Sequence, residues 1–122
     1  MSPLIYLAAA LACGAGAVVR FGLSKMNARW KLPWPTFGAN LLGSFTLGVI
    51  AHIALTAPHA DQLTLIAGGG FAGGLTTFST LSVDAVVLWR GGRLTYSMSY
   101  LAATFVGGLL GAGFGWALVG WL

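Results

Sequence analysis

Apolar residues fill the chain in four long stretches, and polar positions are gathered into short intervals between them. The stretches run over 4–24, 36–56, 62–89 and 95–121. Each is long enough for a helix to cross the hydrocarbon core of a bilayer, which takes about 20 residues rising about 1.5 Å apiece. Lys25, Arg29, Lys31, Arg90 and Arg93 sit in the connectors KMNARWKLPWP and RGGRL, and Asp61 in the one around APHAD. The pattern predicts an all-α integral membrane protein, a single four-helix domain over 1–122.

Composition narrows the class further. Of 122 residues 57% are hydrophobic and 7% charged, against roughly 25% charged in a soluble domain, and the mean hydropathy is +0.87. The connectors leave no soluble unit to house a conventional active site, so function lies within the membrane. A net charge of +4 raises nucleic acid as a partner, but five of the six basic residues lie in connectors, as membrane topology demands. The N-terminal MSPLIYLAAALACGAGAVVR has the apolar core of a signal peptide without its basic n-region, and is read as an uncleaved first helix. A single cysteine forms no internal disulfide, and Cys13 among small residues is read as packing.

Helices in lipid associate through small residues that let backbones approach. Ala8, Ala12 and Gly16 form such a ridge on the first helix, and Gly107, Gly111 and Gly115 on the fourth. Two further stripes are partly polar: Asn40, Ser44 and Gly48 on the second helix, and Tyr96, Tyr100, Thr104 and Gly108 on the fourth. Unpaired polar groups in hydrocarbon cost several kcal/mol. The stripes serve either hydrogen bonds between helices or a polar path, and two in four helices favour a path.

The third stretch contains GGGFAGGLTTFST, with five glycines in the seven positions 68–74. Gly68, Gly70 and Gly73 match GxGxxG, but no strand precedes them and no acidic residue follows about 20 positions on. A phosphate-binding loop lacks its Gly-Lys-Ser or Gly-Lys-Thr. Glycine costs about 1 kcal/mol against alanine inside a helix, so the tract is where the third helix is expected to break, freeing backbone groups of the kind that bind ions in transporters. The alternative is close packing, since Gly69 with Gly73 and Gly70 with Gly74 fit GxxxG. Beyond the glycines, Thr76, Thr77, Ser79, Thr80 and Ser82 surround Phe78 with hydroxyls. Thr76, Thr80 and Asp84 align at fourfold spacing. An intramembrane carboxylate is functional by default, although one near a span end can also reach the interface.

At LTTFSTLSVD the sequence resembles the Fluc, or CrcB, family of small microbial fluoride channels. The similarity covers nearly the whole chain: GAVVRFGLS, GANLLGSFTLG, GFAGGLTTFSTLS and a tyrosine-led, glycine-rich fourth helix. The resemblance implies antiparallel, dual-topology homodimers of four-helix subunits in the plasma (inner) membrane, with two fluoride pores and a central structural sodium ion. By the family pattern Gly73 and Thr76 supply the sodium's backbone carbonyls. Asn40 matches the pore asparagine, Phe78 the first phenylalanine of the aromatic box, Tyr100 and Thr104 the polar positions of the fourth helix, and Arg20 the arginine closing the first. The family's TTFSTF reads TTFSTL here, so Leu81 replaces the second phenylalanine. Asp84 stands where glutamate is usual, and the chain lacks glutamate altogether.

The same residues make chemical sense unaided. Fluoride is small and strongly hydrated, so its path needs donors: the Asn40 amide, the hydroxyls of Thr80, Thr104 and Tyr100, Ser44 on the same stripe as Asn40, and the positive rim of the Phe78 ring. A fixed sodium lowers the cost of an anion in low dielectric. The main alternative is a small proton-coupled multidrug exporter, also a four-helix dual-topology dimer. Such exporters place a glutamate in the first helix, where this chain has Ala, Gly and Cys13, leaving Asp84 as the only candidate proton carrier. A non-transporting assembly subunit would not need the hydroxyl-rich third helix. For an enzyme, His52, His59, Asp61 and Asp84 form no ligand or triad spacing. One conflict concerns orientation. The first and third connectors carry five basic residues and the opposite side none, which orients every copy alike, whereas an antiparallel homodimer inverts half of them. A heterodimer with a paralogue of opposite bias is the alternative arrangement.

Overall fold

The computed structural model describes residues 1–26 and 32–122. Arg29 and Lys31 lie outside the described residues. Helix α1 spans Pro3–Ser24 and α2 Trp34–Ile53. The third crossing, Ala60–Arg90, is built from four pieces: α3 (Ala60–Leu63), a π-helix (Thr64–Ala72), α4 (Gly73–Leu75) and, after two extended residues, α5 (Phe78–Arg90). Helix α6 runs from Leu94 to Trp121. All four crossings are long and apolar enough to span a membrane.

Local chemistry sets the ends. Prolines stand in the first turns of α1 and α2, where their missing N–H removes no helical bond. Helix α5 stops at a tight reversal in which Gly92 takes φ 77°, a left-handed conformation that a glycine adopts without penalty. There the Arg93 N–H reaches back to the Leu88 carbonyl at 3.0 Å. Helix α6 has 28 residues, about 42 Å of helix against a core of about 30 Å, so it tilts or protrudes.

The two halves of the third crossing have different neighbours. Its π-helix and α4 lie against α1 and α2, while α5 lies against α6; α2 and α6 form the most extensive seam. Both seams depend on glycine. A Cβ on Gly74 would overlap the Cys13 carbonyl, and one on Gly16 the Phe71 carbonyl; across the other seam Gly48 faces the Ala112 carbonyl and Gly115 that of Phe45. Gly107 and Gly111 also face α2, at Leu41 and Phe37. The expected ridges are therefore helix contacts.

The break lies just beyond the glycine tract in which it was expected. Residues 64–72 wind as a π-helix and Gly74 remains helical. The extended residues are Thr76 (φ −81°, ψ 155°) and Thr77 (φ −149°, ψ 124°). Close approach to α1 stabilises the helical form of Gly70 and Gly74, outweighing their poor propensity. The chain departs instead where hydroxyl and amide side chains can take over the backbone bonds.

Candidate functional site

Those substitute bonds define the site. The Thr77 N–H donates to Asn40 Oδ1 at 2.7 Å, and Asn40 Nδ2 donates to the Thr77 carbonyl at 3.1 Å. One α2 side chain thus engages both polar groups of an extended residue. The Thr77 hydroxyl oxygen accepts the Thr80 N–H at 3.2 Å, capping α5, and pairs with the hydroxyls of Thr80 and Ser79 at 3.2 and 3.3 Å. From α1, Arg20 Nη1 donates to the Thr76 carbonyl at 3.1 Å.

Among the carbonyls that lose their helical donors in this rearrangement are those of Gly73 and Thr76. In a continuous helix Gly73 would accept from the Thr77 N–H and Thr76 from the Thr80 N–H; both N–H groups go to side chains instead. Gly73 is exposed, and its oxygen receives only a long 3.4 Å contact from the Thr76 hydroxyl. Among the described residues no group of three His, Cys, Asp or Glu side chains is placed to hold a metal ion. A cation site here would consist of main-chain oxygens.

The expected pore residues divide between two open grooves, each of about 250 Å³. Asn40 and Ser44 from α2, Phe78 and Leu81 from α5, and Thr104 from α6 line one beside the break. Arg20 and Thr80 line the other, with Ser24 and Thr36. Thr77 borders both. Thr104 donates its proton to the Tyr100 carbonyl at 2.8 Å, so it turns oxygen lone pairs, not its proton, to the groove. Phe78 is 80% exposed.

Tyr100 lines neither groove. It is 2% exposed, packed with Ala85 and Leu88, and its hydroxyl donates to Asp84 Oδ2 at 3.2 Å. Thr36 donates to the same oxygen at 3.0 Å, so Asp84 ties α2, α5 and α6 together. His52 binds the Trp116 carbonyl at 2.8 Å, far along the chain from the break. Sequence reasoning gave Thr36 no role and named Thr77 only among the hydroxyls around Phe78. The stripe Asn40–Ser44–Gly48 extended back one turn reaches Thr36, and Thr77 followed three residues later by Thr80 is the spacing of a helix cap.

The chain is similar to known proteins over most of its length. The family profile described as CrcB-like protein, Camphor Resistance (CrcB), matches residues 7–116. A "Fluoride-specific ion channel FluC 1" of Streptococcus pneumoniae is 42% identical over 107 residues, covering 88% of this chain and 91% of its own. A "Fluoride-specific ion channel FluC" of Bordetella bronchiseptica is 38% identical over 123 residues, covering 97% and 93%. One of the same name from Saccharophagus degradans is 38% identical over 111 residues, covering 86% and 81%.

Proposed function

Because the chain belongs to the CrcB-like family, we propose that it is a passive, fluoride-selective channel of the plasma (inner) membrane that lets fluoride leave the cytoplasm. The observation that carries this reading is the groove at the break, where Asn40, Ser44, Phe78 and Thr104 converge from three helices. Replacing the hydration of a small anion takes several donors at once. The groove offers the remaining amide proton of Asn40, the Ser44 hydroxyl and the positive rim of the Phe78 ring. Asp84 is occupied by Thr36 and Tyr100, which argues against a proton-coupled exporter.

The working unit in this reading is an antiparallel homodimer with two pores. Its support is the open side of the groove: an anion there would face hydrocarbon, so a second protein surface must close it. The reading includes a structural sodium ion between the copies. The Gly73 carbonyl, a hard oxygen donor without a helical partner, fits such an ion, and the Thr76 carbonyl, which accepts from Arg20 Nη1 at 3.1 Å, keeps its second lone pair for one; two are too few for a complete shell, and a second copy doubles them. When bound, the ion would supply positive charge that favours an anion nearby.

Fluoride efflux from loaded liposomes containing the purified protein tests the proposal. Efflux is expected without a proton gradient or nucleotide. Well-reconstituted protein that passes no fluoride rejects it.

A further inference from the structure

We propose that Asn40 is a positioning residue for Phe78, and that it acts through the Thr77 peptide so that Asn40 and Thr77 form one clamp. The proposal rests on the fluoride reading above and adds a route by which the pore's aromatic ring is aimed.

Three observations carry it. First, both ends of the Asn40 amide meet the same residue, at 2.7 and 3.1 Å. A side-chain amide has one accepting end and one donating end, so this pairing fixes its flip as well as its direction. Thr77 is 8% exposed. Without Asn40 its N–H would lie buried and unpaired, and such a group bears the full desolvation penalty. Second, the Thr77 hydroxyl caps the first turn of α5 at the Thr80 N–H. The start of that helix is therefore held by a residue that Asn40 itself holds. Third, Phe78 is the first residue of α5, and within the subunit its 80% exposed side chain has little packing of its own to direct it. The ring takes its direction from the turn beneath it. Because Thr77 borders both grooves, the clamp stands at their junction.

The test compares the wild-type protein with Asn40→Ala, Thr77→Val and the double variant, each reconstituted at less than one channel per liposome on average. At that density the fraction of liposomes that empty counts working channels, and the emptying rate reports conduction through each. Each single change is expected to slow emptying about tenfold or more, as loss of a buried hydrogen-bonded pair would. The double variant is expected within about threefold of the slower single, because residues acting as a unit are not additive. A double variant slowed by the product of the two factors, or singles that leave the rate unchanged and only lower the emptying fraction, overturns the proposal. Hydrogen exchange of the detergent-solubilised protein gives a readout independent of conduction. The Thr77 amide is expected to exchange about tenfold faster in Asn40→Ala, and unchanged exchange overturns the clamp. If Asn40→Ala does not fold, Asn40→Asp serves: it keeps an oxygen facing the Thr77 N–H, so that amide should stay within about threefold of wild type. Exchange there as fast as at exposed amides overturns the proposal. Wild-type protein that conducts no fluoride would refute the channel reading, while Thr77 exchange would still report on the clamp.

Discussion

Phe78 and Leu81 line the same groove on very different terms. Phe78 projects from the first turn of α5, whereas Leu81 packs against the cluster of Ala85, Leu88 and Tyr100. Only Phe78 offers a polarised ring edge, so Phe78→Ile is expected to reduce liposome fluoride flux strongly, by about tenfold or more if the rim replaces a hydration contact. Leu81→Phe is expected to be tolerated or to raise flux; normal conduction by Phe78→Ile would refute the ring-edge argument. At this scale Asn40, Ser44 and Thr104 were legible in the sequence, because polar residues repeating along one helix face must meet something other than lipid, and Phe78 through the family resemblance. Tyr100 shares that spacing with Thr104, yet its long side chain reaches Asp84 and not the groove. Fourfold spacing identifies a helix face and leaves open which neighbour a long side chain will reach.

Among the helices, glycine acts by contact. Gly74 lies on the Cys13 backbone, whereas Gly113 of α6 has nothing within 4 Å of an added Cβ. Gly74→Ala is therefore expected to destabilise the protein by about 1–3 kcal/mol through overpacking, and Gly113→Ala to be neutral or stabilising by up to about 1 kcal/mol through helix propensity. Thermal unfolding of the solubilised variants checks both, and equal effects would mean that the α1 seam does not need its glycine. Four crossings and an interruption near Gly68–Gly74 could be read from hydropathy and composition. The place of the interruption could not, because propensity counts each glycine alone while the fold sets it against a neighbouring backbone. The two residues that leave the helix are threonines, and Asn40, 37 positions away from Thr77, bonds the second of them.

For the molecule as a whole, charge and assembly pull in different directions. Lys25 follows α1, Arg90 ends α5 and Arg93 precedes α6, all at one end of the subunit, while Asp61 marks the other. Such a bias orients a chain one way, whereas the proposed homodimer needs both orientations. A single cysteine at the C-terminus of a Cys13→Ala variant, labelled in intact cells with an impermeant reagent, distinguishes the cases. Partial labelling completed after lysis is expected for dual insertion. Complete labelling from outside rejects the homodimer and points to a second gene product.

The divided loyalty of the third crossing also sets an order of biogenesis. A nascent chain is delivered N-terminus first, so the π-helix and α4 meet α1 and α2 already in the bilayer. Helix α5 must wait for α6 to be synthesised. One crossing thus matures in two instalments, on either side of Thr76 and Thr77. Thr104, the α6 residue of the groove at the break, arrives last. A subunit made only as far as α5 consequently lacks the α6 wall of that groove.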